Sequence, residues 1–266
     1  MKAKQTNRYQ ALVESIFFRA YRKGSVTVHF TREELVATAQ TLGIVMAKNP
    51  GDVLYSFRYR NPLPKRILDT QPKGMEWVIE GAGRAKYEFR LTPINRIAPN
   101  PNLITIKIPD ATPEIIAINS LSDEQALLAK VRYNRLIDIF LGITTYSLQN
   151  HLRTTVKGLG QIEIDEVYVG IDRHGCQYII PVQAKGGNDQ LSTVQAKQDI
   201  ACCAEKFPDL VCRAISAQFM EDSRIAIFEL CLDQDGLVKT VEERHYRLVP
   251  GDQIDASDRE NYRSCG

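Results

Sequence analysis

Long apolar runs are missing from this 266-residue sequence, as is a charged leader followed by an apolar stretch. Both absences point to a cytoplasmic protein with no membrane-spanning segment. The six cysteines include no C-x-x-C pair, and adjacent Cys202 and Cys203 cannot build a zinc knuckle, so buried reduced thiols explain them best. The histidines, His29, His151, His174 and His245, lack the spacing of a helical or hairpin zinc site. No G-x-x-x-x-G-K-[ST] loop occurs, so ATP-driven translocation is not encoded in this chain. The single tryptophan, Trp77, reads as a core residue.

What is present is a division of charge. The formal net charge is only +2, yet residues 1–110 carry 18 Lys and Arg against 9 Asp and Glu, and residues 111–266 carry 16 against 23. A basic half (+9) collects a polyanion through counterion release, whereas an acidic half (−7) suits metal binding. The length allows one large or two small domains.

The densest chemistry lies in 161–187, QIEIDEVYVGIDRHGCQYIIPVQAKGG. Ile162, Ile164, Val167, Val169 and Ile171 form two alternating series whose phase changes at Asp165 and Glu166. Tyr178, Ile179, Ile180 and Val182 make the near-continuous apolar run of a buried strand. Asp172, Arg173, His174 and Gly175 between them are a turn, so two antiparallel strands bring Asp165 beside Gln183, Ala184 and Lys185. Gln183 and Lys185 share one face, with Ala184 turned away. A lysine closing an apolar strand is costly without a partner, and Asp165 is the expected partner. Glu163 shares Asp165's face and is a candidate second ligand, whereas Glu166 points oppositely and reads as a surface acid. Phosphodiester hydrolysis needs an oxygen-ligated divalent cation, an activated water and positive charge at the phosphorane. Asp165 and Gln183 offer oxygens for Mg²⁺, for which Mn²⁺ can substitute, and Lys185 offers the charge.

At these residues the chain resembles the PD-(D/E)xK nuclease superfamily, and more narrowly the branch related to Mrr-type restriction enzymes, where glutamine stands in the acid's place of the E-x-K element. Asp165, Gln183 and Lys185 match the catalytic positions, with Ile164 where the signature has proline. The resemblance implies a restriction-endonuclease-like α/β (α+β) fold: a mixed central sheet flanked by helices. It also implies a helix after the second strand. Residues 191–207 fit, with Val194, Ile200 or Ala201, and Ala204 as the apolar face and Pro208 as terminator. Gln195 and Gln198 on that helix, and His151 upstream, are candidate supports. Strands at 210–220 and 225–232 complete the sheet.

The basic half is patterned as a separate module. Residues 9–21 carry Leu12, Val13, Ile16, Phe17 and Ala20 at helical spacing. Thr31, Arg32, Glu33 and Glu34 form a capping box opening a second helix to about Leu42, and 52–60 is a third helix. Residues 75–80 and 86–91 flank the turn 81–84 as a hairpin. Three helices and a hairpin resemble a winged helix, which commonly places one helix in the DNA major groove and the hairpin on the backbone. Arg58, Arg60, Lys65, Arg66, Arg84 and Lys86 are the candidate DNA contacts.

The expected domains are therefore a winged-helix-like DNA-binding domain at 1–92, a proline-rich linker at 93–120 holding a short strand at 103–108, and a nuclease domain at 121–266. Within the last, 122–141 reads as one long helix with Asn134, Arg135 and Asp138 as its polar positions. Residues 147–153 read as a second helix. Glu124 and Asp138 are candidates for a further metal-binding acid. The functional expectation is a Mg²⁺-dependent DNA endonuclease of restriction or defence type, acting on double-stranded DNA as a homodimer beside a cognate methyltransferase. A structure-specific repair or junction nuclease, and a non-catalytic DNA-binding regulator on a nuclease-like scaffold, are the alternatives.

Overall fold

A computed structural model describes residues 2–46, 50–59, 61–94, 97–119, 124–186, 191–220 and 222–264. The chain packs as two compact units, Met1–Asn95 with Thr155–Ile162, and Arg96–Thr154 with Glu163–Gly266. Among the described residues no helix is long and apolar enough to cross a membrane.

The first unit runs α1 (Lys2–Ala20), β1 (Thr27–Thr31), α2 (Arg32–Thr41), α3 (Gly51–Tyr59), α4 (Lys65–Leu68), β2 (Met75–Gly81) and β3 (Lys86–Pro93), with an antiparallel sheet in the order β1-β3-β2. Leu12, Val13, Ile16 and Phe17 of α1 pack against Leu35, Val53, Leu54, Ile67, Trp77, Ile79 and Phe89, so the helical spacing in 9–21 does mark a core face. The capping box at Thr31 is formed: the Glu34 amide donates to Thr31 Oγ1, and Glu34 Oε2 accepts from the Thr31 amide at 2.7 Å. Trp77 is buried and its indole N–H donates to Thr70 Oγ1. Strand β1 falls in a stretch too short and polar to reveal its pairing with β3 in the sequence.

The second unit is mixed α+β, a large mixed sheet flanked by helices. Its elements are β4 (Thr105–Pro109), α5 (Glu114–Ala117), α6 (Glu124–Tyr133), α7 (Leu136–Leu141), β5 (Thr144–Val156), β6 (Gly160–Ile171), β7 (Gln177–Lys185), α8 (Thr193–Lys206), β8 (Val211–Cys212), β9 (Ala214–Phe219), β10 (Ile225–Leu232), β11 (Val238–Val249) and α9 (Ala256–Ser264), the end of β5 and the start of β6 within Thr155–Ile162 belonging to the first unit. The strand order is β4-β11-β10-β9-β7-β6-β5, with β8 also on β7. β5, β6 and β7 are successive strands, β7 and β6 being antiparallel, and α8 then crosses over so that β9 lies parallel to β7. One sheet face packs on α6 and α7 through Leu127, Leu128, Val131, Leu136, Ile137 and Phe140 against Ile180, Val182, Ile215 and Ile227. The other carries α8 above Ala214, Ala226, Phe228 and Leu230.

Four expectations need correction. Residues 147–153 are strand, not helix: Leu148 and Leu152 have helical spacing, but they lie in β5, whose exposed edge imposes no apolar period. The long helix at 122–141 is two, because Arg135 takes a left-handed φ of 50° and buried Asn134 turns to the loop before it. The Asn134 side chain accepts from the Ala111 amide at 2.7 Å and donates to Thr112 Oγ1. The strand in 93–120 is no isolated connector segment but β4, parallel to β11 at the sheet's edge. The span 210–220 divides at Arg213 into β8 and β9, Arg213 holding Glu229 with two hydrogen bonds of 2.6 and 2.7 Å.

Two changes test this packing. A Cβ at Gly81 would overlap the Leu159 carbonyl oxygen, a backbone atom. Gly81→Ala should therefore destabilise the protein by about 1–3 kcal/mol, read as a lower denaturation midpoint; an unchanged midpoint contradicts the contact. On the α6 face, Glu166 is fully buried and Arg132 Nε donates to its Oε1 at 2.8 Å. Arg132→Met leaves that carboxylate without its cation. The expected loss is toward the lower end of about 3–5 kcal/mol, since the Arg132 side chain is 36% exposed. Denaturant unfolding that finds the variant as stable as the parent refutes the assignment.

Candidate metal centre

The site arises where hydrogen bonding between two strands stops. The β6–β7 ladder runs from Ile171↔Gln177 to Glu166↔Val182, and beyond it side chains take over. The Ala184 amide donates to Asp165 Oδ2 at 2.9 Å, and Gln183 Nε2 donates to the Glu163 carbonyl at 3.1 Å. Continuing the register sets Asp165 opposite Gln183, so Glu163, Asp165, Gln183 and Lys185 share one face by strand alternation. On β7's other side, Gln183 pairs with Ser216 and Lys185 with Gln218 of β9.

Asp165, Gln183 and Lys185 are thus brought together, with a different pairing from the one expected. Lys185 Nζ donates to Glu124 Oε1 at 3.2 Å, from the first turn of α6, rather than bonding Asp165. The reason is reach: Lys185 closes β7, and its side chain extends past the strand end toward that helix start. Its charge still acts on Asp165, favouring the carboxylate. Burial outweighs it and, with Glu124 and Glu163 nearby, holds the Asp165 carboxyl above its ordinary range. Glu163's carboxylate is shared by Arg153 at 3.2 Å and His151 at 3.4 Å. Asp138 is committed elsewhere, accepting from the Thr145 amide and hydroxyl, both at 2.8 Å.

Helix α8 supplies what the sequence reading missed. Its buried stripe is Gln195, Ala196, Gln198, Asp199, Cys202 and Cys203; of the expected Val194, Ile200 or Ala201, and Ala204, Ile200 packs on the core while Ala204 is exposed, because amides and an acid occupy most inward positions. Gln195 and Gln198 face inward as expected. Asp199 was not singled out. It is 2% exposed, and its Oδ2 accepts from Gln183 Nε2 at 2.9 Å. Burial pushes its carboxyl well above the ordinary range. The available signal was its place four residues after Gln195, on one helical stripe.

Glu166, read as a surface acid, is instead fully buried on the opposite face, where its Oε1 also accepts from Ser147 Oγ at 2.7 Å. Of the basic candidates, Lys65, Arg66, Arg84 and Lys86 are exposed. Arg66 forms an ion pair with Glu14 and lies over the Phe18 ring. The Arg58 side chain and the whole of Arg60 lie outside the described residues.

Three buried oxygens of this cluster, Gln183 Oε1, Gln195 Oε1 and Asp199 Oδ1, have no hydrogen-bond partner among the described residues. Unpaired buried acceptors are costly, and several in one place fit a water or a cation. Among the described residues no three His, Cys, Asp or Glu side chains converge as a metal cluster. Asp165 offers a carboxylate oxygen and Gln183 a neutral amide oxygen, donor types that hard cations take. Neither a protein-family model nor a curated protein matches the sequence.

Proposed function

We propose that this protein is a metal-dependent DNA endonuclease of the PD-(D/E)xK type, using Mg²⁺ or Mn²⁺. The observation that carries the reading is the opening of the β6–β7 ladder at Asp165 and Gln183, with Lys185 on the same face. The order of helix, three successive strands, crossover helix and a strand parallel to the third supports the restriction-endonuclease-like fold. Asp165 and Gln183 would hold the cation, which when bound polarises a phosphoryl oxygen and acidifies a water. Lys185, 12% exposed, would supply the positive charge that offsets the extra negative charge of the phosphorane. Glu124 holds that ammonium in place.

The first unit supports a winged-helix reading and a DNA-binding role. Its order of helix, strand, helices and hairpin, with the lone strand on the hairpin's second arm, adds a strand and a short helix to the three helices and hairpin expected and is compatible with that reading, and Lys65, Arg84 and Lys86 are exposed and would contact phosphates. Cutting both strands of a duplex needs two sites, which a homodimer supplies through its twofold axis.

Two measurements test the proposal. Plasmid cleavage in Mg²⁺ should fall by about 10²–10³-fold in Asp165→Ala and Lys185→Ala, with cooperative melting retained, and should stop on chelation. Cleavage equal to the parent in both variants, or cleavage that survives chelator, rules the mechanism out. Replacing Lys65, Arg84 and Lys86 by glutamine should weaken binding to all duplexes alike. The slope of log K against log salt should then flatten by about 0.9 per lost phosphate contact. An unaltered slope removes these residues from the DNA interface.

A further inference from the structure

Gln183 is a neutral residue in a position where only one of its two ends is useful to a cation, and an amide side chain can turn either end forward. Its Nε2 carries two hydrogens, and each has an acceptor: the Glu163 carbonyl at 3.1 Å and Asp199 Oδ2 at 2.9 Å. A backbone carbonyl cannot donate, so the flipped amide would set Oε1 against it and lose that bond. The present orientation leaves Oε1 buried and free of donors among the described residues. Asp199 reaches this point from α8, the layer behind β7, and Gln183 Nε2 is its hydrogen-bond donor. A 2%-exposed carboxyl serving one amide is an expensive arrangement for packing alone.

We propose that Asp199 is a positioning residue, which fixes the Gln183 amide so that Oε1 faces the cation site. The inference rests on the reading of Gln183 as a cation-binding residue, and it assigns a role to helix α8 that the three strand residues do not cover. With Asp199 removed, one Nε2 hydrogen is unpaired and only the Glu163 carbonyl still opposes a turn of the amide. Asparagine at position 199 still offers an oxygen to that hydrogen. Leucine, of similar size, does not.

The experiment compares Asp199→Asn and Asp199→Leu with the parent in two readouts. In ¹⁵N-labelled protein, the Gln183 side-chain amide should exchange slowly with solvent in the parent and in Asp199→Asn, and rapidly in Asp199→Leu. Mn²⁺ affinity, titrated without DNA, should fall by about 10–100-fold in Asp199→Leu and stay near the parent in Asp199→Asn. Should the leucine variant not fold, Gln183→Glu alone and Gln183→Glu combined with Asp199→Asn replace it. The single change sets a carboxylate against Asp199 and the Glu163 carbonyl and should weaken Mn²⁺ binding. The double change gives that new carboxylate an amide donor from position 199 and should restore binding. Amide exchange and Mn²⁺ affinity that ignore Asp199, or a double variant no better than the single one, overturn the inference. A parent protein with a slowly exchanging, Asp199-dependent amide that binds no Mn²⁺ and cleaves no DNA instead overturns the nuclease reading.

Discussion

The interruption of the β6–β7 ladder after Glu166 and Val182 is the constraint on which the acidic unit's site depends. Strands forming the middle of a large sheet ordinarily satisfy one another, since unpaired buried amides and carbonyls are costly. Here the next positions are satisfied by side chains, Asp165 receiving the Ala184 amide and Gln183 giving its amide to the Glu163 carbonyl. Polar atoms are thereby kept in a place the surrounding core would otherwise fill with aliphatic groups. On one side Val182 and Ala184 join the α6–α7 core; on the other Gln183 meets Asp199. Strand alternation separates the two environments by a single residue step, so the same strand serves packing on one face and chemistry on the other.

Charge is managed differently on those faces. Glu166, facing α6, has its Oε1 bonded by both Arg132 and Ser147, an arrangement that ties helix to sheet, while its buried Oε2 has no partner among the described residues. Asp165 and Asp199 are held instead by amides, and burial raises both carboxyls above their ordinary range. Lys185 moderates that cost at a distance while bonded to Glu124. Two desolvated acids near unpaired amide oxygens make a site whose electrostatics favour an added cation, which is the physical basis for the proposed metal dependence.

Much of this was legible in the sequence. The alternation in 161–171, the apolar run to Val182 and the intervening turn located both strands and set Asp165 near Gln183, and the Thr31 capping box marked a helix start correctly. Tertiary context decided the rest. Edge strand β5 has no buried face to impress a period on 147–153. Strand β11 hides behind Glu242, Glu243 and Arg244, although His245 and Tyr246 within it are buried. Glu166 looked like a surface acid because its partner Arg132 lies 34 positions earlier. Asp199 escaped because a buried polar stripe on α8 has the same spacing as an exposed one.

The most direct test of the account is anomalous scattering from crystals of the protein soaked in Mn²⁺. The account predicts a peak within about 2.0–2.6 Å of both an Asp165 carboxylate oxygen and Gln183 Oε1, absent from Asp165→Ala crystals. A well-ordered site with no peak there, or Mn²⁺ bound elsewhere on the chain alone, would contradict it.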